Sequence, residues 1–205
     1  MDKKVLVVAT SNQGKIREIK ELLKDLPIEV KTLKDFPPLP PPEEKGKTFF
    51  ENAFEKAMYY AKHIGEVCLA DDSGLVVDAL GGEPGVYSAR YAGPDADDEK
   101  NNQKLLEKMK DIPFEKRDAR FVCVIVVCAP DGRYIKSEGI WEGKIAFEPR
   151  GTHGFGYDPL FLVKEYNYEK TSAELEPEEK NRLSHRGKAL KAIKKLIPEF
   201  LGINV

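Results

Sequence analysis

The sequence is short of several things, and each shortage excludes a class of protein. There are three cysteines, Cys68, Cys123 and Cys128, and three histidines, His63, His153 and His185, in 205 residues. An odd number of cysteines inside apolar runs does not make a disulfide framework. Cys123 and Cys128, five apart, would point to opposite faces of one strand. The histidines form no ligand cluster with them, so a structural zinc site is not expected. An excess of one charge is missing too. Lys and Arg number 33 against 35 Asp and Glu, a formal net charge of -2, which gives no reason to expect nucleic acid as a partner. No apolar run approaches the length of a membrane span. Val5 to Ala9, behind Lys3-Lys4, is too short for a signal peptide and reads as a strand. A reduced, cytoplasmic compartment without a membrane partner is the expectation.

What is present is enough for a proper core. With 41% hydrophobic residues over this length, one domain, or one domain with two lobes, can be buried. Val5 to Ala9 reads as a strand buried on both faces. Ile16, Ile19, Leu22, Leu23 and Leu26 recur at helical spacing, and Ile28 to Leu33 reads as a second strand. The five prolines between Phe36 and Pro42 forbid regular structure. Thr48-Phe49-Phe50-Glu51 fits a capping box opening a helix to about Ile64. A short strand at Val67 to Ala70 is expected to run into Asp71-Asp72-Ser73-Gly74, then into Leu75 to Leu80. A helix from about Asp98 to Lys110 follows. Phe121 to Ala129 is the strongest strand signal, and Asp131-Gly132 marks a hairpin returning through Tyr134 to Ile145. Leu160 to Val163 is a further strand. Pro177 suits a first helical position, and Ser184 can cap a last helix. Helices alternating with strands, then a hairpin, predict an α/β protein with a mixed central β-sheet flanked by helices.

Five segments could carry chemistry. Thr10-Ser11-Asn12-Gln13-Gly14-Lys15 joins a buried strand to a helix start, where backbone amides and the helix dipole attract anions. It is not a Walker A loop, and the plain alternative is an ordinary turn. Asp71-Asp72 lies between two apolar stretches, where alternation puts one acid toward each face. Carboxylates at such a place are typical magnesium ligands, and one can orient water. Glu43-Glu44 could add a metal ligand. Gly154-Phe155-Gly156-Tyr157-Asp158-Pro159 would let a flat ligand approach Phe155, unless its aromatics belong to the core. Lys180, Ser184, His185 and Arg186 put cations near a helix start, where an anion or carbonyl would offset their unfavourable meeting with the dipole.

Six stretches in this order resemble the inosine triphosphate pyrophosphatase family, the non-standard purine NTP pyrophosphatases, in its bacterial and archaeal branch. They are residues 9–15, 48–53, 70–75, 80–91, 154–159 and 183–190, and they span almost the whole chain. The resemblance implies one pyrophosphatase domain over residues 1–205, with two lobes around a nucleotide-binding cleft, usually paired as a homodimer. It implies hydrolysis of ITP, dITP or XTP to the monophosphate and pyrophosphate with Mg²⁺. By position, Thr10, Ser11, Asn12, Gln13, Gly14 and Lys15 would hold the triphosphate. Asp72 would ligate the metal and accept a proton, with Glu43 as second ligand and Glu44 close enough to compete. Ser73 would touch substrate. Phe155, with Gly156 and Tyr157 in the same loop, would stack on the purine, and Asp158, Lys180, His185 and Arg186 would read its edge. Ser11 stands where many members have glycine. The alternatives are a septum-inhibitor-type pyrophosphatase acting on pyrimidine or modified nucleotides, and a nucleotide-binding regulator without turnover.

Overall fold

The first β-branched run forms β1 (Lys4–Val8), and Ile28–Thr32 forms β2 alongside it in parallel, with Leu6 opposite Val30. Between them runs α1 (Gln13–Leu23), whose buried residues Ile16, Ile19 and Leu23 lie on one stripe. The computed structural model describes residues 3–204. Further along are α2 (Phe49–Ile64), β3 (Val67–Val77), α3 (Asp98–Met109), β4 (Asp118–Cys128), β5 (Tyr134–Ile145), β6 (Phe161–Val163), α4 (Pro177–Leu183) and α5 (His185–Leu201). The strand order is β2-β1-β3-β4-β5-β6. β1 pairs in parallel with β3, whereas β5 and β6 are antiparallel, so the sheet is mixed as expected.

The predicted break within β3 does not occur. Two short apolar strands with the acids between them were expected, but Val67–Val77 is one strand of eleven residues with Asp71 and Asp72 in its middle. The hairpin after β4 forms where Asp131-Gly132 places it. Gly132 takes a positive φ of 99° there, and the Ala129 amide donates to the Arg133 carbonyl at 2.8 Å.

The chain divides into two units. The first holds residues 1–72, 123–138 and 189–205, and the second residues 73–122 and 139–188. In the first, Leu6, Val8, Leu69, Cys123, Ile125 and Val127 pack against α1 and the Ala189 to Leu201 part of α5. Each buried Leu or Ile there contributes about 1.5–3 kcal/mol. Strand alternation sends Val7, Cys68, Ala70, Val124, Val126 and Cys128 to the other face, and Cys128 meets Met58 of α2 there. In the second unit, Leu75, Val77, Phe121, Trp141, Ile145, Phe161 and Val163 share a core with Leu105 and Met109 of α3.

The second unit also buries a guanidinium. Arg117 is 1% exposed. Its Nε donates to the Ile112 carbonyl at 2.9 Å, Nη1 to Ala146 at 3.1 Å, and Nη2 to Met109 at 2.6 Å. The Met109 carbonyl ends α3, where it accepts the Ile112 amide at 3.0 Å as well as Arg117, so Arg117 fastens that helix end to the start of β4 and the end of β5. A lone arginine ahead of a strand carries no sequence signal for this role.

Candidate functional site

In the first unit the site starts at the end of β1. The Ala9 amide donates to the Leu69 carbonyl at 2.8 Å, tying the loop to β3. Thr10 Oγ1 accepts the Asn12 amide at 3.2 Å, and Asn12 Oδ1 accepts the Lys15 amide at 3.0 Å as the N-cap of α1. Both side chains are therefore spent on shaping the loop. The first-turn amides of Gln13 and Gly14 belong to the set that a helix leaves without internal acceptors. Residues 11–14 are exposed, so this end can meet an anion from solvent.

Alternation then separates the two acids. Asp71 shares the face of Leu69 and meets Lys15 of α1, whose Nζ lies 3.0 Å from Asp71 Oδ2. Asp72 shares the face of Ala70 and meets α2, where Asn52 Nδ2 donates to Asp72 Oδ2 at 3.0 Å. The expectation of one acid per face holds in this geometry. Asn52 is buried, and its Oδ1 accepts the Gly46 amide at 2.7 Å. It thereby links Asp72 to the exit of the proline-rich loop. The tyrosine hydroxyl of Tyr59 holds that loop from the same helix, donating to the Pro40 carbonyl. One turn beyond Asn52, Lys56 donates to the Asp71 carbonyl at 3.0 Å and pairs with Glu44 at 3.2 Å.

The predicted cap of α2 forms in altered shape. Thr48 Oγ1 accepts the Glu51 amide at 3.0 Å, but Glu51 reaches past the cap to the Lys47 amide at 2.9 Å.

This arrangement separates Glu43 from Glu44. The Glu43 side chain is 77% exposed and pairs with the equally exposed Lys45. Glu44 is drawn in by Lys56 and its charge is felt at Asp72. Burial pushes the Asp72 carboxyl up to about 6. Asn52 and Lys56 oppose that rise, while the Glu44 and Asp71 carboxylates add to it. A cation placed here would relieve that crowding of negative charge. Among the described residues there is no group of three or more His, Cys, Asp or Glu able to hold a metal by itself. Two carboxylates completed by water and phosphate oxygens suit a hard divalent cation such as Mg²⁺. Lys56 and Asn52 were missed by the sequence reading. Their only signal is the four-residue spacing that places them on one side of α2.

The second unit holds the other candidates. Ser73 follows Asp72 directly in β3. Phe155 is 58% exposed, with Lys180 Nζ 4.6 Å from its ring centroid and the Arg186 guanidinium at 5.6 Å. Its backbone is fixed although its ring is not covered. The Phe155 amide donates to Asp158 Oδ2 at 3.0 Å, and Asp158 in turn takes Ser172 Oγ on Oδ1 at 2.7 Å and Lys180 Nζ on Oδ2 at 2.5 Å. Gly154 has φ of 79°, and a β-carbon there would strike Asp158 Oδ2. Asp158 is buried, so in this geometry it shapes the loop and steadies Lys180. Tyr157 is also buried, and its hydroxyl donates to the Ser88 carbonyl at 2.6 Å.

Ser184 joins α4 to α5. Its amide donates to the Lys180 carbonyl at 2.7 Å, and its Oγ accepts the Gly187 amide at 3.1 Å, as a cap should. Gly187 is needed because a β-carbon would run into the Asn181 carbonyl oxygen. His185, nearly buried, stacks on Phe121 at 4.8 Å between centroids, with Trp141 beyond.

An anion-ready helix start, crossed carboxylates and lysines, and an exposed aromatic between cations define an α/β protein that handles nucleotides. The chain belongs to the Ham1 family, whose sequence model matches residues 6–196. It is 54% identical over 189 residues to a dITP/XTP pyrophosphatase of Geobacter sulfurreducens, covering 92% of this chain and 94% of that one. A dITP/XTP pyrophosphatase of Bacillus cereus is 50% identical over 202 residues, 97% of this chain and 98% of that one. The fold matches a solved HAM1 protein from Coxiella burnetii with TM-score 0.90 and 44% identity, over 96% and 99% of the two chains. A Ham1 protein from Staphylococcus aureus matches with TM-score 0.88 and 42% identity, over 96% and 100%.

Proposed function

We propose that this chain hydrolyses non-standard purine nucleoside triphosphates, ITP, dITP and XTP, to the monophosphate and pyrophosphate, clearing them from the pool used for nucleic-acid synthesis. Full-length identity to dITP/XTP pyrophosphatases supports the substrate class. The observation that carries the chemistry is Asp72, a half-buried carboxylate in mid-strand, oriented by Asn52 and neighboured by Glu44.

The reaction needs a divalent metal, for which we propose Mg²⁺. Asp72 and Glu44 would hold it; Glu44 is favoured over its neighbour Glu43 because Glu43 lies in solvent beside Lys45. Bound there, the cation would offset phosphate charge. Asp72 accepts a proton from the water that attacks the α-phosphorus. Lys15, Lys56 and the amides at the start of α1 bind the triphosphate, and charge that develops on it meets donors already in place. Ser73 contacts substrate. Phe155 stacks on the purine, with His185, Arg186 and the remaining donors of Lys180 at its edge. Such donors suit the 6-keto acceptor of hypoxanthine or xanthine and would be left unpaired against the 6-amino group of adenine. Asp158 acts by holding Lys180 and the Phe155 amide. The whole chain works as one pyrophosphatase domain.

We further propose a cytoplasmic homodimer without a nucleic-acid partner. The near-neutral charge supports the last point, and sedimentation at micromolar concentration tests the dimer: a monomer throughout would dismiss it. No helix among the described residues is long and apolar enough to cross a membrane.

The test of function is pyrophosphate release from ITP, XTP, GTP and ATP with and without Mg²⁺. Metal-dependent release from ITP and XTP, with ATP and GTP nearly inert, is expected. Release from pyrimidine or modified nucleotides alone would mean the septum-inhibitor type, and binding without release would mean a regulator.

A further inference from the structure

The loop that presents Phe155 is gripped from a helix the catalytic reading leaves unused. Asp98 and Asn102 lie four residues apart on α3, and so share one face. Asp98 Oδ2 accepts the Gly156 amide at 2.9 Å, and Asn102 Nδ2 donates to the Gly156 carbonyl at 3.0 Å. Both polar groups of the residue after Phe155 are thus held by side chains far away in sequence. Gly156 has φ of 60°, and a β-carbon there would meet nothing within 4 Å. The glycine is needed for its left-handed backbone and not for room. On the N-terminal side of Phe155, its own amide is held by Asp158.

The orientation of the Asn102 amide is unambiguous. Turned over, its oxygen would face the Gly156 carbonyl oxygen. As it stands, Asn102 Oδ1 is buried without a hydrogen-bond partner among the described residues. An orphaned buried oxygen costs stability, so the fold by itself gains little from an asparagine here. What the asparagine provides is the donor to Gly156.

We propose that Asp98 and Asn102 are positioning residues for base binding, clamping the Gly156 peptide so that the exposed Phe155 ring is presented in its stacking orientation before substrate arrives. This rests on Phe155 being the base-stacking residue. A loop ordered in advance loses less freedom when the purine docks. The clamp therefore acts on binding and leaves the attack on phosphorus alone.

The experiment compares Asp98→Ala, Asp98→Asn and Asn102→Leu with Phe155→Ala, measuring kcat and KM for ITP and inhibition by inorganic tripolyphosphate, which has no base. Asn102→Leu removes the orphaned oxygen along with the donor to the Gly156 carbonyl, effects of opposite sign on stability, so it is expected to fold and melt close to the parent. Asp98→Ala and Asn102→Leu are expected to raise KM about three- to tenfold with kcat nearly unchanged. Asp98→Asn, which keeps an acceptor, should recover most of that loss. Tripolyphosphate inhibition should not move. In the Phe155→Ala background, Asn102→Leu should add nothing further. Parent-like KM in both clamp variants, full additivity with Phe155→Ala, or a matching change in tripolyphosphate inhibition would overturn the clamp while leaving the proposed function standing. A parent-like KM in Phe155→Ala would overturn the clamp by removing the ring from the base site. No turnover of ITP by the parent protein would remove the proposed function itself, and the clamp with it.

Discussion

Asn52 donates to Asp72 Oδ2 at 3.0 Å while its own carbonyl oxygen accepts the Gly46 amide at 2.7 Å, so one buried carboxamide joins the β3 acid to the loop that carries Glu44. Outer partners of this kind orient a metal ligand, and their loss typically costs tenfold to a hundredfold in affinity or activity. Asn52→Ala is expected to raise the Mg²⁺ concentration for half-maximal pyrophosphate release by about tenfold or more. A metal titration identical to the parent's would show that Asn52 only fills space.

Asp72 predicts how the metal-free protein responds to pH. Burial, with help from the Glu44 and Asp71 carboxylates, lifts its carboxyl to about 6. A raised acid pKa means the folded chain holds this proton more tightly than the unfolded one. Stability from this group is then fully present below the ordinary carboxylate range and is lost as pH rises through about 6. Asp72→Asn removes the charge and is expected to melt higher than the parent at pH 8 in chelator, with the difference closing toward pH 4. Its size is at most about 3 kcal/mol, and less for a side chain that keeps some solvent. Equal melting temperatures at pH 8 would show that the carboxylate bears no burial cost.

Glu43 and Glu44 are adjacent, so their substitution is a clean comparison. Glu44→Gln is expected to lower kcat/KM by at least about tenfold at limiting Mg²⁺. Glu43→Gln, whose side chain pairs only with an exposed lysine, should stay within about twofold, as exposed pairs are worth little. The reverse order would return the second metal position to Glu43.

Arg117 is a prediction about stability alone. Arg117→Met takes the Arg117 donor from the Ile112 and Ala146 carbonyls, and leaves Met109 its Ile112 amide. Losing about 3 kcal/mol or more is expected, at roughly 1–3 kcal/mol for each buried group left unsatisfied. Urea unfolding measures it. A midpoint within error of the parent would mean that water takes over the Ile112 and Ala146 carbonyls.

The parts of this protein that were legible in the sequence are those governed by local rules. Helical spacing of Ile16, Ile19 and Leu23 marked α1, and Asp131-Gly132 marked the hairpin. Ser184 and Thr48 were readable as caps because a cap is decided within four residues. What was not legible depended on distant partners. Two aspartates look like a turn until β3 passes through them, with Lys15 and Asn52 waiting on its two faces. Glu43 and Glu44 follow a run of prolines with no period to say which turns inward, and Lys56 decides it. Asp98 and Asn102 look like the solvated start of a charged helix, and only the fold brings Gly156 to them. Tyr157 looked like part of a ligand loop and lies in the core, since its hydroxyl finds the Ser88 carbonyl.

The acids of β3 are assigned to their faces by odd and even position alone. One residue inserted between Leu69 and Asp71 would exchange the faces of the two acids, whereas two inserted residues would restore the faces but carry both carboxylates about 6–7 Å along the strand, out of reach of Lys15 and Asn52. The two acids are thus pinned by position as well as by parity: this stretch cannot lengthen without losing its chemistry, and one- and two-residue insertions assayed side by side for Mg²⁺-dependent turnover would expose the rule or break it.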